Sequence, residues 1–193
     1  MGRPQAFDTA EAVRAARTVF WNAGYDEAAM PALETATGLC RSSIYHAFGN
    51  KRGLFDAALT SYLDEVVRPR LRPMITEPVA PEAIENYLTT LQSAITDSAK
   101  DVHGDGCLLV STASSSLAHD PAVRAAITGY RNEVASALRD GLRARRPELS
   151  EDDIERRALT CTGMVIAAFS IAKADPAGAV AYLDLARDAI TSA

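Results

Sequence analysis

Between Gly38 and Phe55 the sequence gathers side chains suited to holding a polyanion. Arg41, Ser42, Ser43, Tyr45 and His46 are followed by Lys51 and Arg52, and no Asp or Glu interrupts them. At about 100° per residue in a helix, Ile44 and Phe48 share one face with the preceding Leu39. Ser42 and His46 lie on the opposite face, flanked by Arg41, Ser43 and Tyr45. Such a face offers hydrogen-bonding groups without a repelling acid, which suits a major groove edged by phosphates. Lys51 and Arg52 open the next helix, where their charge and the positive dipole end both favour a phosphate. A solvated polar face in a small helical bundle carries the same residue types, and spacing alone does not separate the two readings.

Other chemistry finds less support. His46, His103 and His119 have no neighbours at metal-ligand spacing, and there is no Gly-x-Ser-x-Gly elbow, phosphate-binding glycine loop or dinucleotide fingerprint. His103 and Cys107 are four apart, but Gly104 and Gly106 argue against a regular helix joining them. Asp152 and Asp153 read as charges stabilising a helix start. No enzyme, metal or cofactor is therefore expected. Cys40, Cys107 and Cys161 are three and widely separated, against a disulfide framework or a four-thiolate zinc site. Cys107, after Gly106 near a helix start, and Cys40, at the start of the polar helix, are candidates for a redox role; small buried hydrophobes are the plainer reading.

The elements that must position these residues read as helices throughout. Asp8 with Glu11 makes a capping-box-like start, Val13, Ala16, Arg17 and Phe20 follow at helical spacing, and Gly24 ends the helix. Two short helices, Pro31–Thr37 and Arg41 to about Ala47, are broken by Gly38, and Asn50 caps a longer helix reaching about Val67. Two short helices joined this way are the sequence form of a helix-turn-helix. The run Arg68-Pro69-Arg70-Leu71-Arg72-Pro73 is expected to break the helix and mark a boundary. Beyond it a helix begins at Pro81 with the stripe Ile84, Tyr87, Leu88, Leu91 and Ile95. Another is expected from Gly104–Gly106 through Leu117. Asp120-Pro121, Ser150 and Asp175-Pro176 each open one more. The whole is expected to be all-α with about nine helices: a three-helix helix-turn-helix unit over residues 1–50, connected through helix 50–67 to a helical body over residues 51–193.

Bulk numbers agree. A chain of 193 residues with 48% hydrophobic and 23% charged content can bury a core without disulfides. The net charge of -5 is uneven: residues 1–72 carry nine basic and eight acidic groups, residues 73–193 eleven and seventeen. The acid lies in the second part, so the first keeps a usable positive potential. The longest apolar stretch, Cys161 to Ala172, is about 12 residues where a bilayer span needs roughly 20. With no signal-like N-terminus, a cytoplasmic chain without membrane contact is expected.

The motifs Gly2-Arg3-Pro4, Phe20-Trp21-Asn22-Ala23-Gly24-Tyr25 and the run from Gly38 to Phe55, with its Ile-Tyr-His-x-Phe-Gly-x-Lys-x-x-Leu-Phe pattern, resemble the tetracycline-repressor-like (TetR) family. The resemblance covers residues 2 to about 60; beyond that it is carried by helix count and Gly106-Cys107-Leu108-Leu109. It implies a ligand-responsive repressor that binds a palindromic double-stranded operator as a homodimer. It further implies that Arg41, Ser42, Ser43 and His46 approach bases, that Tyr45 and Lys51 clamp phosphates, and that Arg3 belongs to an arm near the backbone or minor groove. Ala28-Ala29 and Cys40 stand where the family usually has hydroxyls that bind phosphate or form the turn.

The resemblance also implies a dimer built by the last two helices and an effector pocket enclosed by the middle ones. Gly163, Ala167, Phe169, Ile171, Val180 and Leu183 are the candidate dimer residues. Tyr62, Tyr87, Leu91, Cys107, Val110, Ser111, Ser114, Tyr130, Val134 and Met164 are the candidate pocket lining. Their mostly apolar composition suits a small, uncharged or weakly polar, moderately hydrophobic effector.

Overall fold

In the computed structural model, which describes residues 8–97 and 106–192, every regular element is helical. Asp8 Oδ1 accepts from the Ala10 and Glu11 N–H groups and starts α1 (Thr9–Glu27), which breaks step at Gly24. Met30–Thr37 (α2) has Pro31 in its first turn and ends at Gly38. Gly38 lies at φ 67°, the left-handed region that a side chain disfavours. It swings the chain into Arg41–Phe48 (α3). Asn50 Oδ1 then accepts from the Gly53 N–H to start α4 (Lys51–Tyr62). A Cβ on Gly53 would sit 2.0 Å from the Phe48 carbonyl oxygen, so glycine there lets α4 cross tightly beneath α3.

The proline-rich run does not break the helix, contrary to expectation. A π turn, Leu63–Val67, continues α4 directly into α5 (Arg68–Ile75). The Arg68 N–H reaches back to the Leu63 carbonyl, five residues earlier. That one-residue widening resets the ladder, so Pro69 falls in a fresh first turn, where a missing donor costs nothing. The result is one continuous rod from Lys51 to Ile75.

Ala83–Thr96 (α6) buries Ile84, Tyr87, Leu88, Leu91 and Ile95, as its stripe requires. The next helix is far shorter than expected: α7 spans only Leu108–Thr112, and a separate 3-10 turn covers Ser116–His119. His103, Gly104 and Arg3 lie outside the described residues. Asp120, Ser150 and Asp175 cap α8 (Pro121–Arg145), α9 (Glu151–Ile171) and α10 (Pro176–Thr191) through their side chains. Among the described residues, ten α-helical segments, two of them fused in the rod, meet the expectation of about nine helices.

The core runs unbroken from the N-terminal helices into the body. Phe20, Leu33, Ile44, Leu54 and Phe55 are fully buried in the first part, with the Phe20 and Phe55 rings edge to face at 5.0 Å. Trp21 meets Tyr62 edge to face at 4.8 Å and donates from Nε1 to the Gly106 carbonyl, tying α1 to the body.

Candidate functional site

Ile44 is fully buried, and Leu39 and Phe48 are half-buried against the same core. These three fix the rotation of α3 about its axis. Arg41, Ser42, Tyr45 and His46 are consequently exposed, and Ser43 is half-buried at the edge of the face. The internal ties of this face are weak ones. Arg41 Nε lies 3.1 Å from Glu34 Oε1 on α2, an exposed pair worth at most about 1 kcal/mol. A phosphate or a base edge can take that guanidinium at little cost.

Cys40 sits at the N-cap of α3 and is exposed. Its Sγ is 3.1 Å from Ser42 Oγ and 3.2 Å from Ser43 Oγ. The Ser42 hydroxyl first, then that of Ser43, stabilises the thiolate and draws the thiol down to about 7. Neither Cys107 nor Cys161 is exposed; burial pushes Cys161 up to about 12.

Lys51 and Arg52, read alike from sequence, part company. Lys51 Nζ lies over the Tyr25 ring, 4.6 Å from its centroid, in the first turn of α4 beside the end of α3. Arg52 turns inward: Nε donates to Asp56 at 2.7 Å and Nη2 to Asp120 at 2.9 Å. Arg52 is therefore a bridge between α4 and the N-terminus of α8, not a free phosphate ligand. Asp26 makes a second bridge, accepting from the Ser116 N–H at 3.0 Å and from its hydroxyl. Neither tie has a local sequence signal, since the partners are 68 and 90 residues apart.

In the body, Tyr62, Tyr87, Leu91, Cys107, Tyr130 and Val134 come together, all buried. The Cys107 thiol donates to the Tyr130 hydroxyl at 3.5 Å and also meets that of Tyr62. Burial first, then the neighbouring thiol, pushes both phenols well above their ordinary range. The space between Tyr62, Tyr87, Leu91, Tyr130 and Phe169 is about 10 Å³, effectively closed. Beside it, between the rod and α6, opens a cleft of about 570 Å³ that shares Arg70 and Tyr87 with the closed space. Arg70 was not among the sequence candidates, because its proline-rich setting reads as a linker.

Several other candidates are placed otherwise than expected. Ser111 and Ser114 are exposed, because α7 ends at Thr112 and turns its outer side to solvent. Val110 and Met164 are only half-buried, at the edge of the core. Leu183 is fully buried in the chain's own core and presents no outward face, whereas Phe169 is half-buried and lines the closed space. Gly163 is exposed, with Ala167, Ile171 and Val180 half-buried. The apolar side chains that α9 and α10 do turn outward are Leu159, Tyr182 and Leu185, about 51%, 37% and 52% exposed.

A polar, acid-free helix turned out from a short helix-turn-helix defines a nucleic-acid-binding protein of the helix-turn-helix class. Comparison with known proteins gives the family. Residues 12–58 match the model of bacterial regulatory proteins of the tetR family. The chain is 30% identical to the TetR family transcriptional regulator CifR, in a cysteine-substituted form complexed with 26-base-pair operator DNA. That match covers 98% of this chain and 99% of that one, with a TM-score of 0.78. It is 29% identical over 161 residues to the HTH-type transcriptional regulator YezE of Bacillus subtilis (strain 168), covering 82% of this chain and 81% of that protein. It is also 30% identical over 115 residues to the HTH-type transcriptional repressor ComR of Escherichia coli (strain K12), covering 59% of this chain and 53% of that protein. The chain belongs to the TetR family and is a DNA-binding transcriptional regulator.

Among the described residues no helix is long and apolar enough to cross a membrane, and no His, Cys, Asp and Glu cluster could hold a metal ion.

Proposed function

We propose that the chain acts in the cytoplasm as a repressor, binding a palindromic operator as a two-fold dimer and leaving it when a small effector enters the body. The observation that carries this reading is the outward face of α3, whose only acidic partner among the described residues is the loosely held Glu34. Arg41, Ser42, Ser43 and His46 approach base edges, while Tyr45 and Lys51 take the flanking phosphates. Residues 1–50 serve as the DNA-binding unit and residues 51–193 as the effector-binding and dimerising one. The operator complex of CifR and the repressor named ComR support the assignment by likeness.

The dimer surface is best sought on the outer stripe of α9 and α10. Leu159, Gly163 and Ile166 recur at helical spacing on α9, and Tyr182 and Leu185 flank them on α10. Burying such a stripe against its two-fold copy would set two α3 helices on one side, roughly 34–36 Å apart, to match successive major grooves. The bridges Arg52–Asp120 and Asp26–Ser116, with Trp21 on Gly106, link α4 and α1 to the start of α8, the Ser116–His119 turn and the residue leading into α7, so a shift of the body is felt at α3.

The test is titration of DNA from upstream of the chain's own gene at several salt concentrations, with sedimentation of the free protein. Operator-preferring binding that falls steeply with salt, by a dimer, supports the reading. A monomer, or binding without sequence preference, removes it.

A further inference from the structure

The cleft between the rod and α6 has apolar walls, formed by Val66, Pro69, Pro73 and Ala83. At one end Arg17 and Glu65 spend their charges on each other, 3.0 Å apart, with Arg14 and Ser61 as further partners. Arg70 differs from them. Its guanidinium makes no ion pair and no hydrogen bond among the described residues, whereas Arg68, two positions earlier, holds both Asp64 and Glu133. Arg70 is only half-exposed, and its charge reaches Tyr62 and Tyr87, opposing the upward push of burial on both phenols. Tyr87 is the second unsatisfied group: its side chain is 7% exposed, and its hydroxyl has no hydrogen-bond partner among the described residues. A hydroxyl open to the cleft and a half-exposed cation, neither paired within the described residues, thus border one apolar cleft. Both have hydrogen-bonding capacity left over for a ligand that enters the cleft.

Resting on the effector reading above, we propose that the effector is a small organic carboxylate, its acid group held by Arg70 and the Tyr87 hydroxyl and its apolar body laid on Val66, Pro69, Pro73 and Ala83. The planar fork of a guanidinium matches a carboxylate with two parallel hydrogen bonds. A free phosphate fits less well. Among the described residues one uncommitted cation faces the cleft, Glu65 stands nearby with a like charge, and the apolar walls would meet nothing. The volume, about 570 Å³, lies within the usual range for small-molecule sites. This revises the uncharged or weakly polar ligand suggested by the mostly apolar candidate lining. Arg70 also sits on the rod that is continuous with α4, so a ligand wedged between rod and α6 acts on the element that carries α3.

The test uses benzoate, phenylacetate and octanoate, each against its own primary amide, with inorganic phosphate as the bare anion. Binding to the full-length protein is followed by calorimetry and by the fluorescence of the single tryptophan, Trp21, which abuts Tyr62. At least one acid should bind saturably and about tenfold or more tighter than its amide, as a charge-assisted hydrogen-bond pair implies. Arg70→Gln should erase that advantage while thermal midpoint and ligand-free operator affinity stay unchanged. Tyr87→Phe should weaken the acid by a smaller factor. No saturable acid binding up to about 10 mM, equal binding of acids and amides, an advantage that survives Arg70→Gln, or phosphate binding as tightly as the acids would each overturn the proposal. Operator release is scored separately. An Arg70-dependent acid that leaves operator affinity untouched sinks the effector reading alone, and an amide that releases the operator sinks the carboxylate assignment alone.

Discussion

The outer face of α3 and the tyrosine-lined interior of the body are both polar, but they dispose of their polarity differently. On α3 the hydroxyls, the imidazole and the guanidinium stand in water, held at most by Glu34 and Cys40. Exchanging those ties for DNA costs little. In the interior, Tyr62, Cys107 and Tyr130 satisfy one another inside a closed space, and removing any of them opens a cavity as well as a hydrogen bond. A substitution on the outer face should therefore change recognition and spare the fold. One in the interior changes both at once, unless it falls on the half-exposed Arg70.

The largest effect should come where the two kinds of region meet. Ile44 belongs to α3 yet is fully buried. Ile44→Ala should cost about 2–5 kcal/mol of stability and take operator binding with it, measured by urea unfolding and by DNA titration. Intact binding in a strongly destabilised variant would break the link between the buried anchor and the exposed face. Arg41→Ala should do the reverse. It should lose about 1–3 kcal/mol of discrimination between matched and mutated operators, with the unfolding midpoint nearly unmoved, because its pair with Glu34 is exposed. A preference that survives removes Arg41 from base readout.

Cys40 sharpens the contrast through chemistry. Its thiol, drawn down to about 7 by Ser42 and Ser43, should alkylate with half-maximal rate near neutral pH, while Cys161, pushed up to about 12, stays inert in the folded chain. Alkylated protein should lose operator binding, and Cys40→Ser should be resistant. Labelling that begins only near the ordinary cysteine range, about 8.5, would contradict the hydroxyl stabilisation of the thiolate.

The smallest effect should lie at the Arg52–Asp120 bridge. Arg52 first, then the Val123 and Ala122 N–H groups, hold the Asp120 carboxyl well below the usual aspartate range. A folded-state value depressed in this way contributes stability that is present above about pH 4 and lost as the pH falls through the folded value. Asp120→Asn keeps an oxygen for the α8 cap but drops the charge. Its thermal midpoint should accordingly fall less than that of the parent on going from about pH 4 to about pH 2. Parallel acid limbs would show that the bridge carries no such linkage.

These regions also differ in how far the sequence discloses them. The helix-turn-helix is local: Gly38, Asn50 and the spacing of Leu39, Ile44 and Phe48 set its geometry within about twenty residues, so the exposed face can be read from one stretch of chain. The caps Asp8, Asp120, Ser150 and Asp175 are legible for the same reason. The proline-rich run misleads, because a π turn is a register adjustment with no residue signature. That same misreading hides Arg70. Arg52 misleads because its partner Asp120 lies in a distant element, brought close only by the packing of α8. On α10, period alone marks Val180 and Leu183 as one apolar stripe without telling its inner side from its outer one. The fold shows the inner side filled by Leu183 and the outer by Tyr182 and Leu185.

Ser42→Asp puts to proof that the serine, tyrosine and histidine side of α3 enters a DNA groove. Ser42 is exposed in the first turn of α3, where an acid favours the helix dipole, so folding should be unharmed. Against phosphates the same charge is repelled by several kcal/mol, and operator affinity should drop by about a hundredfold or more at an unchanged melting temperature. Full operator affinity in Ser42→Asp would place DNA on some other surface.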